Sequence, residues 1–423
     1  MIIVLKLITF IIGTILVYSS IKNYFANKNG NILIYPIVVF YVFYYIPLLL
    51  DLLVGRPFYK SHFRGFIISG NHIITEIIFC IVVLYILYMM YRFHKKNPYQ
   101  ISFDFYFKFA DIIFIFSVFG LFLMMIYLFS ISDAFSIFQY NMRYDVSPVG
   151  IKLKNYSLII ITWILILILL EKNKGKLFIK FGMLLPYALT AFMMNGKKSI
   201  VFIFVIGLIL IFVIKRTFQH NVSYILVAVI ALVSLFLYDQ FYQEKFGGGS
   251  TDTIEEYSAF RVTYGRDDTM KMVLYSELNK DKGINILEYR GQTMLYYIST
   301  ALTIRRDEWD NKPYPYATYF TSGLIGEQQV RVLPWTMTTS IFDELISNFG
   351  VIGILLSPYI FKFLSNIIVR NNEGIVGKII LFLGILLSVL MIAVQISAFI
   401  YLYILLAVLI ILYKLKRKIR ISS

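Results

Sequence analysis

Cysteine is almost missing from this chain. The one thiol in 423 residues, Cys80, sits in the apolar run Ile77-Ile-Phe-Cys-Ile-Val-Val. No intrachain disulfide can form, and the thiol reads as a small buried hydrophobe that says nothing of redox compartment. Histidine is nearly as scarce, with only His62, His72, His94 and His220. None has a partner at zinc-ligand spacing. There is no phosphate-binding loop, no Gly-x-Ser-x-Gly elbow and no dinucleotide fingerprint. The pair Asp267-Asp268 is the only approach to an Asp-x-Asp metal signature, and a weak one. The expectation is a protein with neither metal nor organic cofactor.

Charged residues are also few, 15% of the chain, while 59% is apolar and 17% aromatic. A soluble domain cannot bury that much apolar surface, so an all-α polytopic membrane protein is the expected class. The net charge of +16 then needs no nucleic-acid partner, because cytoplasmic loops of membrane proteins collect Lys and Arg. Runs of about 20 apolar residues, enough to cross about 30 Å of hydrocarbon, number about eleven. They cover 2–20, 32–54, 73–91, 110–131, 155–171, 178–195, 198–215, 222–242, 340–366, 377–394 and 396–414. The basic loops divide unevenly. One alternating set with the C-terminal tail holds 19 Lys/Arg and the other short loops hold eight. The richer set is assigned to the cytoplasm. The expected layout is a membrane domain over 1–242, an extracytoplasmic loop over 243–338, and a second membrane portion over 339–423 ending in a basic tail.

That loop holds 11 of the 40 Lys/Arg and 13 of the 24 Asp/Glu, a formal charge of −2. Its arginines are spread among aromatics rather than massed: Arg261, Arg266, Arg290, Arg305, Arg306 and Arg331 alternate with Tyr257, Tyr264, Tyr296, Tyr297, Trp309, Tyr314 and Trp335. Aromatic faces stack on sugar rings, and guanidinium forks hold phosphate in two-point contact. The loop is expected to be helical in pieces, with amphipathic patterns over 261–278 and 284–302. A turn-prone break follows at Asn311-Lys-Pro-Tyr-Pro, and Gly247-Gly-Gly-Ser is a slack joint. Two further features flank the loop. Asn195-Gly-Lys197-Lys198 interrupts a tight helical pair on the outer side, where cations could meet a lipid diphosphate or simply snorkel. Asp343 and Glu344 stand in the first turns of the next apolar run. There they face a cavity, or favour the helix N-terminus.

Taken together, these features resemble the Wzy-type oligosaccharide repeat-unit polymerases, a group related to the O-antigen ligases. The resemblance rests on the span layout, the single late Arg-rich loop, the Gly-Lys motif between paired spans, and Glu344-x-x-x-Asn348-Phe-Gly350-x-x-Gly353. It implies a GT-C-like fold in the bacterial inner membrane with the large loop periplasmic or extracellular. It also implies an inverting, metal-independent glycosyltransferase. Such an enzyme moves a growing glycan from undecaprenyl diphosphate onto another lipid-linked repeat unit, in lipopolysaccharide or capsule assembly, alongside a chain-length regulator and a flippase. On this resemblance Arg261 and Arg266, with the carboxylates Asp267, Glu327 and Glu344, are the catalytic candidates. Lys197, Lys198, Arg290, Arg305, Arg306 and Arg331 are the diphosphate-binding candidates. The related ligases carry a loop histidine; this loop has none, which shifts the expected chemistry from a histidine base toward leaving-group stabilisation, with a carboxylate accepting the proton. Two alternatives stay open: a ligase-like transferase, and a lipid or glycan flippase.

Overall fold

The computed structural model describes residues 2–26, 31–96, 109–131, 148–171, 173–195, 198–214, 253–280, 284–327, 329–333 and 335–422. All regular structure among them is helical. Eight helical segments are long and apolar enough to cross a membrane: Ile2–Tyr24, Ile34–Leu53, Ile73–Lys96, Ala110–Ser130, Gly175–Met194, Val351–Arg370, Gly374–Ala393 and Ile396–Leu415. Tyr156–Leu170 is a shorter apolar stretch. This is the architecture of a helical membrane protein. The expected span 222–242 lies outside the described residues, as does the joint Gly247-Gly-Gly-Ser.

By packing, the chain forms two units, residues 1–101 with 250–423, and residues 102–249. In chain order the helices are α1 (Ile2–Ala26), α2 (Ile34–Phe40), α3 (Ile46–Leu53), α4 (Arg64–Gly70), α5 (Ile73–Lys96), α6 (Ala110–Ile131), α7 (Pro148–Leu170), α8 (Lys174–Asn195) and α9 (Lys198–Ile214). They continue with α10 (Thr253–Tyr264), α11 (Asp267–Leu278), α12 (Gln292–Ala301), α13 (Tyr316–Ile325), α14 (Ile341–Phe349), α15 (Val351–Arg370), α16 (Gly374–Ala393) and α17 (Ile400–Ser422). In the unit of 102–249, α7 packs against α6, α8 and α9. Lys180 there bridges Asp111 and Glu171.

The larger unit is organised around α16, buried continuously from Ile380 to Ala393. α1 packs on α5, α5 on α15, and α16 on α2, α15 and α17. A π turn at Tyr41–Tyr45 joins α2 to α3. Pro47 explains it: proline has no N–H to offer the preceding turn, which frees carbonyls around Val42 and Phe43. Those carbonyls are taken by the polar segment. Tyr264 Oη donates to Val42 O at 2.7 Å, Arg266 N–H donates to Phe43 O at 3.2 Å, and Arg261 Nη1 donates to Pro47 O at 3.2 Å. The expected single helix over 261–278 therefore breaks at Gly265-Arg266, because the Arg266 N–H leaves its own helix for Phe43.

α11 differs from an amphipathic surface helix in a second way. Every residue from Asp267 to Tyr275 is buried, against α4, α5 and α14. The expected span 340–366 also divides. Gly350, at φ +59° and ψ −133°, separates α14 from α15. A Cβ on Gly353 would lie 2.1 Å from Leu345 O. Both glycines of the Asn-Phe-Gly-x-x-Gly motif are thus required by a sharp bend, one for its dihedral and one for its close approach.

Candidate functional site

Two buried polar clusters adjoin each other along α11. The first is ionic. Lys6 of α1 stands 3.1 Å from both Asp51 of α3 and Glu76 of α5. Lys271 of α11 stands 3.1 Å from Asp267 and 3.2 Å from Glu76. Arg261 holds Asp51 at 2.7 Å and Asp267 at 2.8 Å. Arg56 reaches Glu76 and Asp268 at 3.9 and 3.8 Å, and Tyr59 donates a short hydrogen bond to Asp268. Four cations meet four carboxylates, so the cluster is neutral when all are ionised. Burial alone would lower the Arg261 guanidinium, but Asp267, Asp268 and Asp51 together raise it above its ordinary value. Lys271 is raised in the same way by Glu76, Asp267 and Asp51 against the opposing effect of burial. Each charge costs several kcal/mol to desolvate, and the alternating signs offset that cost only while every member is present.

The second cluster gathers at α14. Arg266 donates to Ala393 O at 3.0 Å, Gly265 O at 2.9 Å and Thr263 O at 3.2 Å. It also stands over the Phe43 ring at 5.5 Å. It thereby caps the carbonyl end of α16. Burial brings its pKa down to about 10. Asp343 closes a capping box with Ser340 at the N-terminus of α14. Burial raises it to about 6 against the Ser340 hydrogen bonds. Glu344 is next. Tyr297 of α12 donates to its Oε2 at 2.9 Å, while Oε1 has no hydrogen-bond partner among the described residues. Burial pushes this carboxyl up to about 7. The hydroxyls of Thr293 and Tyr297 pull the other way, and Asp343 adds to the rise. Asn348 ties α14 to α12: its Nδ2 donates to Thr293 Oγ1 and Glu344 O, both at 2.8 Å, and its Oδ1 accepts from Gly291 N–H at 3.1 Å.

The remaining sequence candidates lie apart from these clusters. Arg290 pairs with Glu277 at 2.7 Å, and its guanidinium passes close to Gly350. Arg305 and Arg306 are exposed on the segment after α12. Arg306 lies 3.9 Å over the Tyr314 ring, and Lys312 stands 5.9 Å over Tyr296. Glu327 and Arg331 pair with each other at 3.2 Å in the open. Lys197 is outside the described residues, as is the side chain of Lys198. His62 lies against Phe63 and His72 against Thr75 and Tyr275. No metal-ligating group of three or more His, Cys, Asp or Glu occurs among the described residues.

The structure thus brings Arg261 and Asp267 into one ion cluster and sets Arg266 and Glu344 beside it. It adds residues that the sequence does not single out, Lys6, Asp51, Arg56, Tyr59, Glu76, Lys271 and Thr293, and it gives Tyr297 a hydrogen bond to Glu344. Three carried a visible signal. Lys6, Asp51 and Glu76 are ionisable groups within apolar runs, which are costly unless paired. Tyr297 is one of the loop aromatics, and nothing in the sequence marks it as the partner of Glu344. No family model, curated protein or solved structure matches this chain.

Proposed function

We propose that the protein is a lipid-linked oligosaccharide polymerase. It transfers a growing glycan from undecaprenyl diphosphate to a hydroxyl at the nonreducing end of a second lipid-linked repeat unit. The observation that carries this reading is the state of Glu344. It is a buried carboxyl outside the candidate spans, paired with no Lys or Arg among the described residues, oriented by the Tyr297 hydroxyl and favoured in its charged form by Thr293 as well. A carboxyl raised to about 7 is matched to accepting a hydroxyl proton near neutral pH. In the proposed step the acceptor oxygen forms a bond to the donor's anomeric carbon. The bond from that carbon to the diphosphate oxygen breaks, with the electron pair leaving on the diphosphate. The hydroxyl proton passes to Glu344.

The diphosphate is already a good leaving group, so cations that stabilise its charge matter more than a strong base. Arg261 and Arg266 have their donors largely committed inside the protein. In this reading they hold the scaffold, and the exposed Arg290, Arg305 and Arg306 are the better candidates for the leaving diphosphate. The test is a deletion strain complemented with point variants, its surface polysaccharide resolved on a gel. Loss of a polymerase leaves a single repeat unit on the lipid acceptor, whereas loss of a ligase or flippase leaves none at the surface.

One observation favours the flippase alternative. The ion cluster takes three members, Lys6, Asp51 and Glu76, from candidate spans, and ionisable groups there commonly mark transport or proton paths. The same gel separates the two readings.

A further inference from the structure

α12 is built inside out. It has 10 residues, about 15 Å of helix, half of what crosses a bilayer. One side carries Met294, Leu295, Ile298, Ala301 and, at its end, Leu302. Of these, Leu295, Ile298 and Leu302 are 41%, 57% and 64% exposed. The other side carries Gln292, Thr293 and Ser299, all buried, with Tyr297 holding Glu344 at 2.9 Å. A helix on a water-facing surface does the reverse: its apolar stripe turns inward and its polar face outward.

The neighbours indicate what covers the apolar side. α12 packs against α17, with Tyr296 beside Tyr401 at the N-terminal end of that candidate span. α17 itself turns Tyr401, Leu405, Val408 and Ile411 outward, each at least 40% exposed. The apolar side of α12 stands next to a helix whose outward side chains suit hydrocarbon. Directly after α12 come the exposed Arg305 and Arg306, then Trp309, Lys312 and Tyr314. Lys312 donates back to Ile304 O at 2.6 Å and Arg306 to Pro313 O at 3.2 Å. Amphipathic side chains of this kind populate the boundary between acyl chains and water. Asp307, Glu308 and Asp310 balance Arg305, Arg306 and Lys312, so the segment has no preference for anionic lipid.

We infer that α12 is an interfacial helix whose partner is the bilayer itself. Leu295, Ile298 and Leu302 are buried among the acyl chains of one leaflet, while the opposite face holds Glu344. This contact stands whatever reaction the site carries out. The same placement sets the carboxylate one helix inward from the lipid boundary.

The test uses the full chain with Cys80→Ala, reconstituted in uncharged phospholipid nanodiscs. Single cysteines replace Ile298, Leu302, Arg305 and Val408 in turn, each carrying a nitroxide. Collision with oxygen, which partitions into lipid, is compared with collision with a water-soluble nickel chelate. Oxygen should exceed chelate at 298 and 302, as at 408, and the ratio should invert at 305. Leu295→Cys substitutes if Ile298→Cys does not fold. Chelate in excess at 298 and 302 would overturn the inference. So would exclusion of both reagents, which would mean that another part of the chain or a second copy covers this face.

Discussion

Tyr297 Oη of α12 donates to Glu344 Oε2 of α14 at 2.9 Å. This bond favours the charged carboxylate, in opposition to burial. Removing it as Tyr297→Phe takes away a hydrogen bond to a charged group, worth about 1.5–3 kcal/mol. If the protein transfers glycan with Glu344 as the proton acceptor, as proposed, the acidic limb of its pH profile lies near 7 and should move upward by about one pH unit or more. A pH series of initial rates checks this. An unmoved limb would separate Tyr297 from the ionisation that governs the reaction.

The same carboxyl makes stability depend on pH, with a definite sign. Glu344 is raised from 4.5 to about 7 and Asp343 from 3.8 to about 6. A carboxyl raised in the folded state binds its proton more tightly than the unfolded chain does. Its contribution is therefore complete below the unfolded value and lost as pH rises to the folded value. Thermal stability in detergent should fall between about pH 5 and pH 7. Glu344→Gln should flatten that fall by about 3 kcal/mol at pH 7 and above, at the 1.36 kcal/mol per pH unit of linkage. A slope equally steep in the variant would show that Glu344 ionises normally.

Lys271 touches carboxylates of two other helices, Asp51 and Glu76, and Asp267 of its own. Lys271→Met leaves those carboxylates underneutralised in a buried site, and a loss of about 3–5 kcal/mol is expected. Lys271→Met combined with Glu76→Gln should cost less than the sum of the two single changes, by about 0.5–3 kcal/mol. Thermal unfolding of all four proteins measures the coupling, and additive losses would mean that the cluster acts as independent pairs.

Gly353→Ala places a methyl group into Leu345 O, 2.1 Å from the ideal Cβ position. Backbone does not yield as a side-chain tip does, so a loss on the order of 1–3 kcal/mol is expected. Gly374→Ala tests the contrast, because nothing lies within 4 Å of its Cβ position, although its φ of +66° carries strain of its own. Equal retention of thermal stability in Gly353→Ala and the unmodified protein would remove the close-approach explanation of the motif.

Hydropathy made the helices legible because lipid-facing and core-facing residues of a span are both apolar. The nearly continuous runs at 73–91 and 377–394 therefore correspond to α5 and α16. Polar segments were less legible. Residues 261–278 carry charges that ordinarily mark a solvated face, yet their partners come from far away in the chain; Arg261 and Asp51 are 210 positions apart. No local pattern reveals such a partner, nor that Pro47 frees carbonyls for Tyr264 and Arg266. Of the helix expected over 284–302 only Gln292–Ala301 is helical, and the pattern did not give its sense: an apolar stripe reads the same whether it meets a core or a lipid chain. At the candidate site, the Glu344 to Gly353 motif was visible as letters, while the separate roles of Asn348, Gly350 and Gly353 required coordinates.

The most direct measurement is transfer by the purified protein in nanodiscs, supplied with a short undecaprenyl-diphosphate-linked repeat unit. The unmodified protein should build products of two and more repeat units and release undecaprenyl diphosphate in step. Glu344→Gln, folded and present at the same level, should do neither. A full product ladder from Glu344→Gln would contradict the role given to that carboxylate. The absence of any ladder or released undecaprenyl diphosphate from the unmodified protein would contradict the polymerase reading itself.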